Sequence, residues 1–150
     1  MEAAPALDPS ILREVEASCL CLQVQRASRA VGRHYDNAFR PLGLNNWQFS
    51  LLTAIEGVGT PNVNELATLL GMDRTTMTRN LSVLQRRNLL TMRQDARDGR
   101  VRRASLTPLG RDLLLKALEL WRITNEAVKA TVPPASLPAV WQALGRIGQP

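Results

Sequence analysis

Between residues 64 and 107 the chain writes a short helix, a tight turn, a longer helix and an arginine-rich hairpin without interruption. The run reads NELATLLGM, then DRTTMTRNLSVLQRRN, then LLTMRQDARDGRVRRASLT. Apolar residues recur at helical spacing in the first two pieces, and the third has strand character on both sides of a turn at Gly99. Two helices joined this tightly form a helix-turn-helix, a geometry that lays its second helix in a DNA major groove. A basic hairpin beside it has the form of a wing that reaches the adjacent minor groove or backbone.

Charge sharpens this reading. From Asp73 to Arg111 there are ten arginines and three acids, a net of +7, whereas the whole chain carries +6, so the remainder sums to −1. Positive charge confined to one segment is the footprint of a phosphate-binding surface. The bland alternative is a basic face kept for solubility. Arginine outnumbers lysine 17 to 2, and its fork matches phosphate and guanine edges as lysine cannot. GC-rich codon usage favours arginine as well, so the preference adds only a little.

The length of 150 residues suits one domain, or a core with an oligomerisation extension. MEAAPALDPS lacks the basic start and apolar run of a secretory signal, and no apolar stretch approaches the ~20 residues that span a bilayer. Cys19 and Cys21, one residue apart, make no disulfide framework. A cytoplasmic protein is expected. One histidine and two cysteines offer too few ligands for a metal site, and no cofactor is expected.

The first helix is expected from Asp8 or Pro9 to about Arg40, with Pro41 and Gly43 marking its end. More than 30 residues is long for a small domain, and a partner subunit is the simplest thing for it to pack against. A second helix should span Trp47 to Glu56 after an Asn45-Asn46 cap and stop at the Gly57/Gly59 pair. Asn64 is read as the cap of the next helix, through Leu70, with Gly71 left-handed beyond it. Asp73 caps the longer helix, which buries Met77, Leu81 and Leu84 and turns Arg74, Thr75, Thr78, Arg79 and Ser82 outward. Asn88 supplies a left-handed stop. Strands are expected over Leu89–Arg93 and Val101–Leu106. Thr107 and Pro108 open a helix to about Thr131, PPASLP breaks it, and Leu137–Ile147 closes the chain. The fold class is mainly α with a hairpin (α+β), in the order ααααββαα: a winged helix-turn-helix flanked by long terminal helices.

These residues resemble the MarR family of bacterial transcriptional regulators over nearly the whole chain. The resemblance is carried by GLNNWQFSLLTAI (43–55), ELATLLGMDRTTMTRNLSVLQRRNLL (65–90) and DARDGRVRRASLTPLGR (95–111). Asp98-x-Arg100 followed by Ser105-Leu106-Thr107 and Gly110 is its most specific element. Asn88 stands where the family mostly has glycine. The resemblance implies a homodimer with an N-terminal dimerisation helix (1–42), a winged helix DNA-binding domain (43–107) and C-terminal dimerisation helices (108–150). It also implies a pseudo-palindromic double-stranded operator, repression as the default, and release by a small effector or by oxidation.

The first turn of the recognition helix should enter the major groove, which makes Arg74, Thr75, Thr76, Thr78 and Arg79 the candidates. Arg79 can hold guanine bidentately, and the threonines can bond phosphate or pack on thymine methyls. Thr76 equally suits a capping role, and Asn80 either reads adenine or faces protein. On the wing, Arg100 is the first candidate for minor-groove insertion and Arg97 the second, with Asp98 part of the signature. Arg102 and Arg103 alternate along a strand, so only one should face DNA. In relatives a wing arginine is tied to an acid at the start of the recognition helix, which implies an Asp73–Arg100 pair here.

The family's effector pocket lies near the end of helix one and the start of helix two. Here that zone holds His34, Tyr35, Trp47 and Phe49, with Arg26, Arg29 and Arg33 as partners for an anion, which suits an aromatic or anionic small molecule. The plain alternative makes His34 a surface residue and Trp47 core. Cys19 and Cys21 suggest oxidation sensing, with Tyr35 placed as in peroxide-sensing relatives, but thiols among Leu20 and Leu22 also read as inert packing. Trp121 and Trp141 are expected in the dimer interface or between terminal helices. No nucleophile–base–acid set and no phosphate loop supports an enzyme. An unregulated architectural DNA binder is the remaining alternative, and the Thr- and Asn-bearing outer face of the recognition helix argues against it.

Overall fold

Helix caps set most of the element boundaries in the computed structural model, which describes residues 7–148. The first six residues, read above for a leader signal, lie outside them. The order is α1 (Pro9–Ser18), α2 (Leu20–Phe39), α3 (Asn46–Val58), α4 (Val63–Leu69), α5 (Arg74–Arg86), β1 (Leu90–Gln94), β2 (Arg102–Leu106), α6 (Pro108–Lys129) and α7 (Leu137–Ile147). Two compact units divide it, residues 1–33 and 34–150.

In the first unit, Asp8 accepts the Ser10 N–H (2.8 Å) and Pro9 opens α1. The single first helix expected from sequence is two helices. Cys19 adopts an extended backbone (φ −68°, ψ 105°) and interrupts the ladder. Side chains stabilise the interruption locally: Ser18 Oγ donates back to the Glu14 carbonyl (2.8 Å), and Gln23 Nε2 donates to the Glu16 carbonyl (3.0 Å). Such competition between side chain and backbone is invisible to a hydrophobic period. The order is therefore five helices, a hairpin and two helices. No residue of α1 is buried.

In the second unit α2 ends at Phe39, and Arg40–Leu42 form a tight 3-10 turn closed by Gly43 at φ 63°. Asn45 alone caps α3, in a reciprocal box with Gln48, and Asn46 is already helical. The helix passes Gly57 and ends at Gly59. The cap of α4 is Asn62 rather than Asn64: its side chain accepts the N–H groups of Asn64 and Glu65, while Glu65 reaches back to the Asn62 N–H (2.8 Å). That box needs a carboxylate or amide three residues on, which Asn62 has in Glu65 and Asn64 lacks. Gly71 (φ 62°) and Asn88 (φ 56°) take the left-handed conformations expected of them.

β1 and β2 pair antiparallel from Leu90↔Leu106 to Gln94↔Arg102, so that β1 lies one residue later than expected at both ends and β2 starts one residue later, and an isolated bridge joins Asn62 to Arg103. Phe39, Leu52, Ile55, Leu66, Met77 and Leu84 are wholly enclosed in the core beneath α3, α4 and α5. Gly110, in the first turn of α6, lies against the Leu89 carbonyl, where a side chain has no room. The hairpin is thereby held to both α5 and α6.

Candidate nucleic-acid interface

The first turn of α5 is assembled by Asp73. Its Oδ1 accepts the Thr76 N–H (2.8 Å) and its Oδ2 the Thr76 hydroxyl (2.6 Å). Both bonds stabilise the ionised form, and they hold the carboxyl below its usual range, the hydroxyl contributing most. Thr76 therefore works as half of a cap. Among the described residues no ion pair joins Asp73 to Arg100: the carboxylate's oxygens are directed into its own helix. That overturns the pairing implied by the resemblance.

Beyond the cap, Arg74, Thr75, Thr78 and Arg79 are exposed. Thr78 donates to the Arg74 carbonyl (2.8 Å) and Ser82 to the Thr78 carbonyl (2.9 Å), so their outward surfaces offer methyl, methylene and acceptor groups. Asn80 is half-buried with its amide 3.9 Å from Met72 Sδ, on the flank that faces protein.

The hairpin faces this helix across a groove of about 280 Å³. Arg74, Thr78, Ser82 and Gln85 line one wall, a single stripe of α5, and Arg100 and Arg102 line the other. Asn62 and Asn64 close its end. No acid lines it among the described residues. Ser82, Gln85 and the two asparagines were not singled out from sequence as site residues. The first two follow from the i, i+4, i+8, i+11 spacing begun at Arg74, whereas the asparagines arrive from another helix.

The alternation at Arg102 and Arg103 is resolved. Arg102 is exposed. Arg103 is half-buried: its Nε donates to Asp95 Oδ2, and its Nη1 donates to the Thr60 carbonyl (2.9 Å) and lies 3.6 Å from Glu65. Asp95 also accepts the N–H groups of Arg97 (2.8 Å) and Asp98 (3.1 Å), and Arg103 followed by these amides lowers its pKa to about 2. Asp98 accepts the Arg100 N–H (3.0 Å), a bond that shapes the loop. The sequence shows no sign of the Asp95–Arg103 pair, because nothing local links residues eight apart across a turn.

Of the ten arginines in this segment, three bind protein. Arg87 donates to the Gly43 carbonyl (2.7 Å), Arg103 is held as described, and Arg111 pairs with Glu56 (3.0 Å). Arg74, Arg79, Arg86, Arg93, Arg97, Arg100 and Arg102 make no side-chain bond among the described residues and are exposed. With the acids occupied locally, the surface keeps its cations.

A sequence model of the MarR family matches residues 42–101. The M. tuberculosis transcriptional regulator MosR in complex with DNA is 41% identical, over 88% of this chain and 95% of that one, with a TM-score of 0.80. This chain belongs to the MarR family. A mutant MarR from E. coli complexed with operator DNA shares the fold at 18% identity (TM-score 0.82, 89% and 96% covered). So does Bordetella bronchiseptica BpsR, whose DNA binding is regulated by 6-hydroxynicotinic acid, at 21% identity (TM-score 0.80, 87% and 94% covered). No curated protein matches the sequence. The MarR family is one of DNA-binding transcriptional regulators with a winged helix, and the chain shares that fold.

The residues expected in a MarR-family effector zone divide by environment. Phe49 is core, 8% exposed and stacked on Phe39 at 4.6 Å, so its ring is already used in packing. Tyr35 stacks on Phe39 at 6.0 Å and donates its hydroxyl to Asn125 Oδ1 of α6 (3.1 Å), and burial pushes its pKa up. Trp47 is half exposed, not core, and His34 is on the surface. Asp36 accepts both the backbone and side-chain N–H of Asn46 (2.7 Å each), which brings the end of α2 to the start of α3 and so His34 and Trp47 to one neighbourhood. Trp121 is half-buried against the core, whereas Trp141 is exposed. In the first unit Arg26, Arg29 and Arg33 are exposed. Cys21 is exposed and Cys19 half-buried, so neither thiol is enclosed in the chain's own core. No group of three His, Cys, Asp or Glu is placed to hold a metal among the described residues, and no helix there is long and apolar enough to cross a membrane.

Proposed function

We propose that this protein is a homodimeric transcriptional repressor that binds a pseudo-palindromic operator and is released by a small aromatic or anionic effector. The observation that carries the DNA reading is the acid-free groove between α5 and the hairpin, with arginines on both walls. The α5 wall presents Arg74, Thr78 and, beside it, Arg79 to base edges, and the hairpin presents Arg97, Arg100 and Arg102 to the flanking backbone and minor groove. Residues 43–107 form the DNA-binding part, and residues 1–42 and 108–150 supply dimer contacts.

The dimer is supported by surfaces that a monomer leaves bare. Helix α1 buries no side chain and exposes Ile11, Leu12 and Val15; α7 exposes Trp141, Leu144 and Ile147 at helical spacing. Amphipathic helices of 10 and 11 residues are marginal in water by themselves and gain their stability from packing. A second copy supplies that packing on both.

The effector reading rests on Trp47 and His34, which offer an exposed indole and imidazole beside the Asp36–Asn46 link. The test is fluorescence anisotropy of a duplex from upstream of the protein's own gene, at about 150 mM salt with nonspecific competitor. Arg79→Ala should weaken binding roughly 5- to 150-fold, the equivalent of the ~1–3 kcal/mol of a bidentate base contact. Arg100→Ala should weaken it while the melting temperature stays put. Hydroxylated aromatic acids should release the duplex and quench Trp47. Equal binding to competitor DNA would point instead to an architectural binder.

A redox reading is favoured by one observation: Cys19 sits in extended backbone at the break between α1 and α2, two residues from exposed Cys21. Peroxide would oxidise the Cys21 sulfur to a sulfenic acid with release of water, and the Cys19 thiol would condense with it to a disulfide with loss of a second water. Release by peroxide from the wild type but not from Cys21→Ser separates this route from effector release.

A further inference from the structure

A continuous chain of bonds runs from the N-terminus of α4 to the tip of the hairpin. Asn62 and Glu65 form the α4 capping box. The Arg103 backbone bridges to Asn62, and its guanidinium reaches Glu65 and the Thr60 carbonyl. The same guanidinium holds Asp95 Oδ2, and Asp95 Oδ1 gathers the N–H groups of Arg97 and Asp98. Asp98 then holds the Arg100 N–H, and its carbonyl accepts the Val101 N–H (2.9 Å). In the loop from 95 to 101 the N–H groups of Asp95, Arg97, Asp98, Arg100 and Val101 are thus bonded before DNA arrives.

We infer that Asp95 and Arg103 are positioning residues. They fix the hairpin tip in the conformation that presents Arg97 and Arg100, and they do so without touching DNA themselves. A tip ordered in advance does not lose that conformational freedom on binding, which is how preorganisation raises affinity. The inference rests on the reading that the wing arginines meet DNA, and it makes a prediction of opposite sign to simple electrostatics. Removing an acid beside a cationic surface adds one positive charge, so long-range attraction by itself demands tighter binding and a steeper salt dependence. Positioning demands weaker binding.

The experiment compares Asp95→Ala, Asp95→Asn and Arg100→Ala, singly and combined, by anisotropy with the upstream duplex. Amide hydrogen exchange of the free proteins is measured in parallel. Asp95→Ala should weaken binding about tenfold despite its added positive charge. Asp95→Asn should weaken it less, since its amide oxygen keeps the turn. In the Arg100→Ala background the Asp95→Ala loss should be clearly smaller, because one of the two side chains being positioned is gone. Exchange at Arg97 and Asp98 should speed up with the helices unchanged. Unaltered or tighter binding of Asp95→Ala overturns the inference, as do losses that simply add to that of Arg100→Ala. If wild type and Arg100→Ala bind alike, the wing reading fails, and unchanged exchange at Arg97 and Asp98 would still refute the ordering role independently.

Discussion

Gly110→Ala sets two effects of opposite sign against each other. Gly110 lies in the first turn of α6, where alanine is the better helix former by ~0.8–1 kcal/mol. An added Cβ would stand 1.9 Å from the Leu89 carbonyl oxygen and 2.9 Å from its carbon. Carbon and oxygen settle at about 3.3 Å or more, so the two backbones must part by roughly 1.4 Å. That carbonyl accepts the Thr107 N–H (3.1 Å), the Thr107 hydroxyl donates to the Asn88 carbonyl (2.6 Å), and the Gly110 N–H donates to the same hydroxyl oxygen (3.0 Å). Overpacking costs about 1–3 kcal/mol, the cap about 0.5–2 and the backbone bond about 0.5–1.5. Less the propensity gain, the variant should lose about 3 kcal/mol. At ~2–4 °C per kcal/mol for a chain of this size, the melting temperature should fall by roughly 6–12 °C. Calorimetry at one fixed protein concentration reads it, since dimerisation makes melting concentration-dependent. A variant as stable as the wild type, or more so, would refute the reasoning and leave propensity as the governing effect.

Asn62→Ala removes the cap of a seven-residue helix, and should cost about 1 kcal/mol, or ~2–4 °C, in a thermal melt. Asp95 has its pKa lowered from 3.8 to about 2, so its contribution to stability is complete above pH 3.8 and is lost as pH falls toward 2. In Asp95→Asn, the acid limb of melting temperature against pH should be flatter across that interval; an unchanged limb would deny the carboxylate that contribution.

The elements most legible in the sequence were those whose signals are local. Asp73, Asn88, Thr107 and Pro108 mark ends through bonds or dihedrals spanning a few residues, and each does so in the structure. Met77, Leu81 and Leu84 are buried as their spacing requires. The misses have one character. The break at Cys19 depends on side chains competing for carbonyls within a strongly helical period, and choosing Asn62 over Asn64 needed the reciprocal Glu65 bond to be weighed. Where an Asp73–Arg100 pair was expected, the Asp73 carboxylate is instead bonded to the backbone and hydroxyl of Thr76 in its own helix.

For the interface itself, sequence alone determined where the charge lies and which helix carries it, since net charge and a 3.6-residue period are properties of a one-dimensional string. Only the tertiary structure decided which arginines stay free. Arg87, Arg103 and Arg111 are bound by groups 43 to 55 residues away, partners that no local pattern names. It also decided that Gly110 must be glycine, because the Leu89 carbonyl reaches it only when α6 folds back across the end of α5. Burial and pairing across such separations follow from the packed chain, and they separate the arginines left exposed from those that hold the fold.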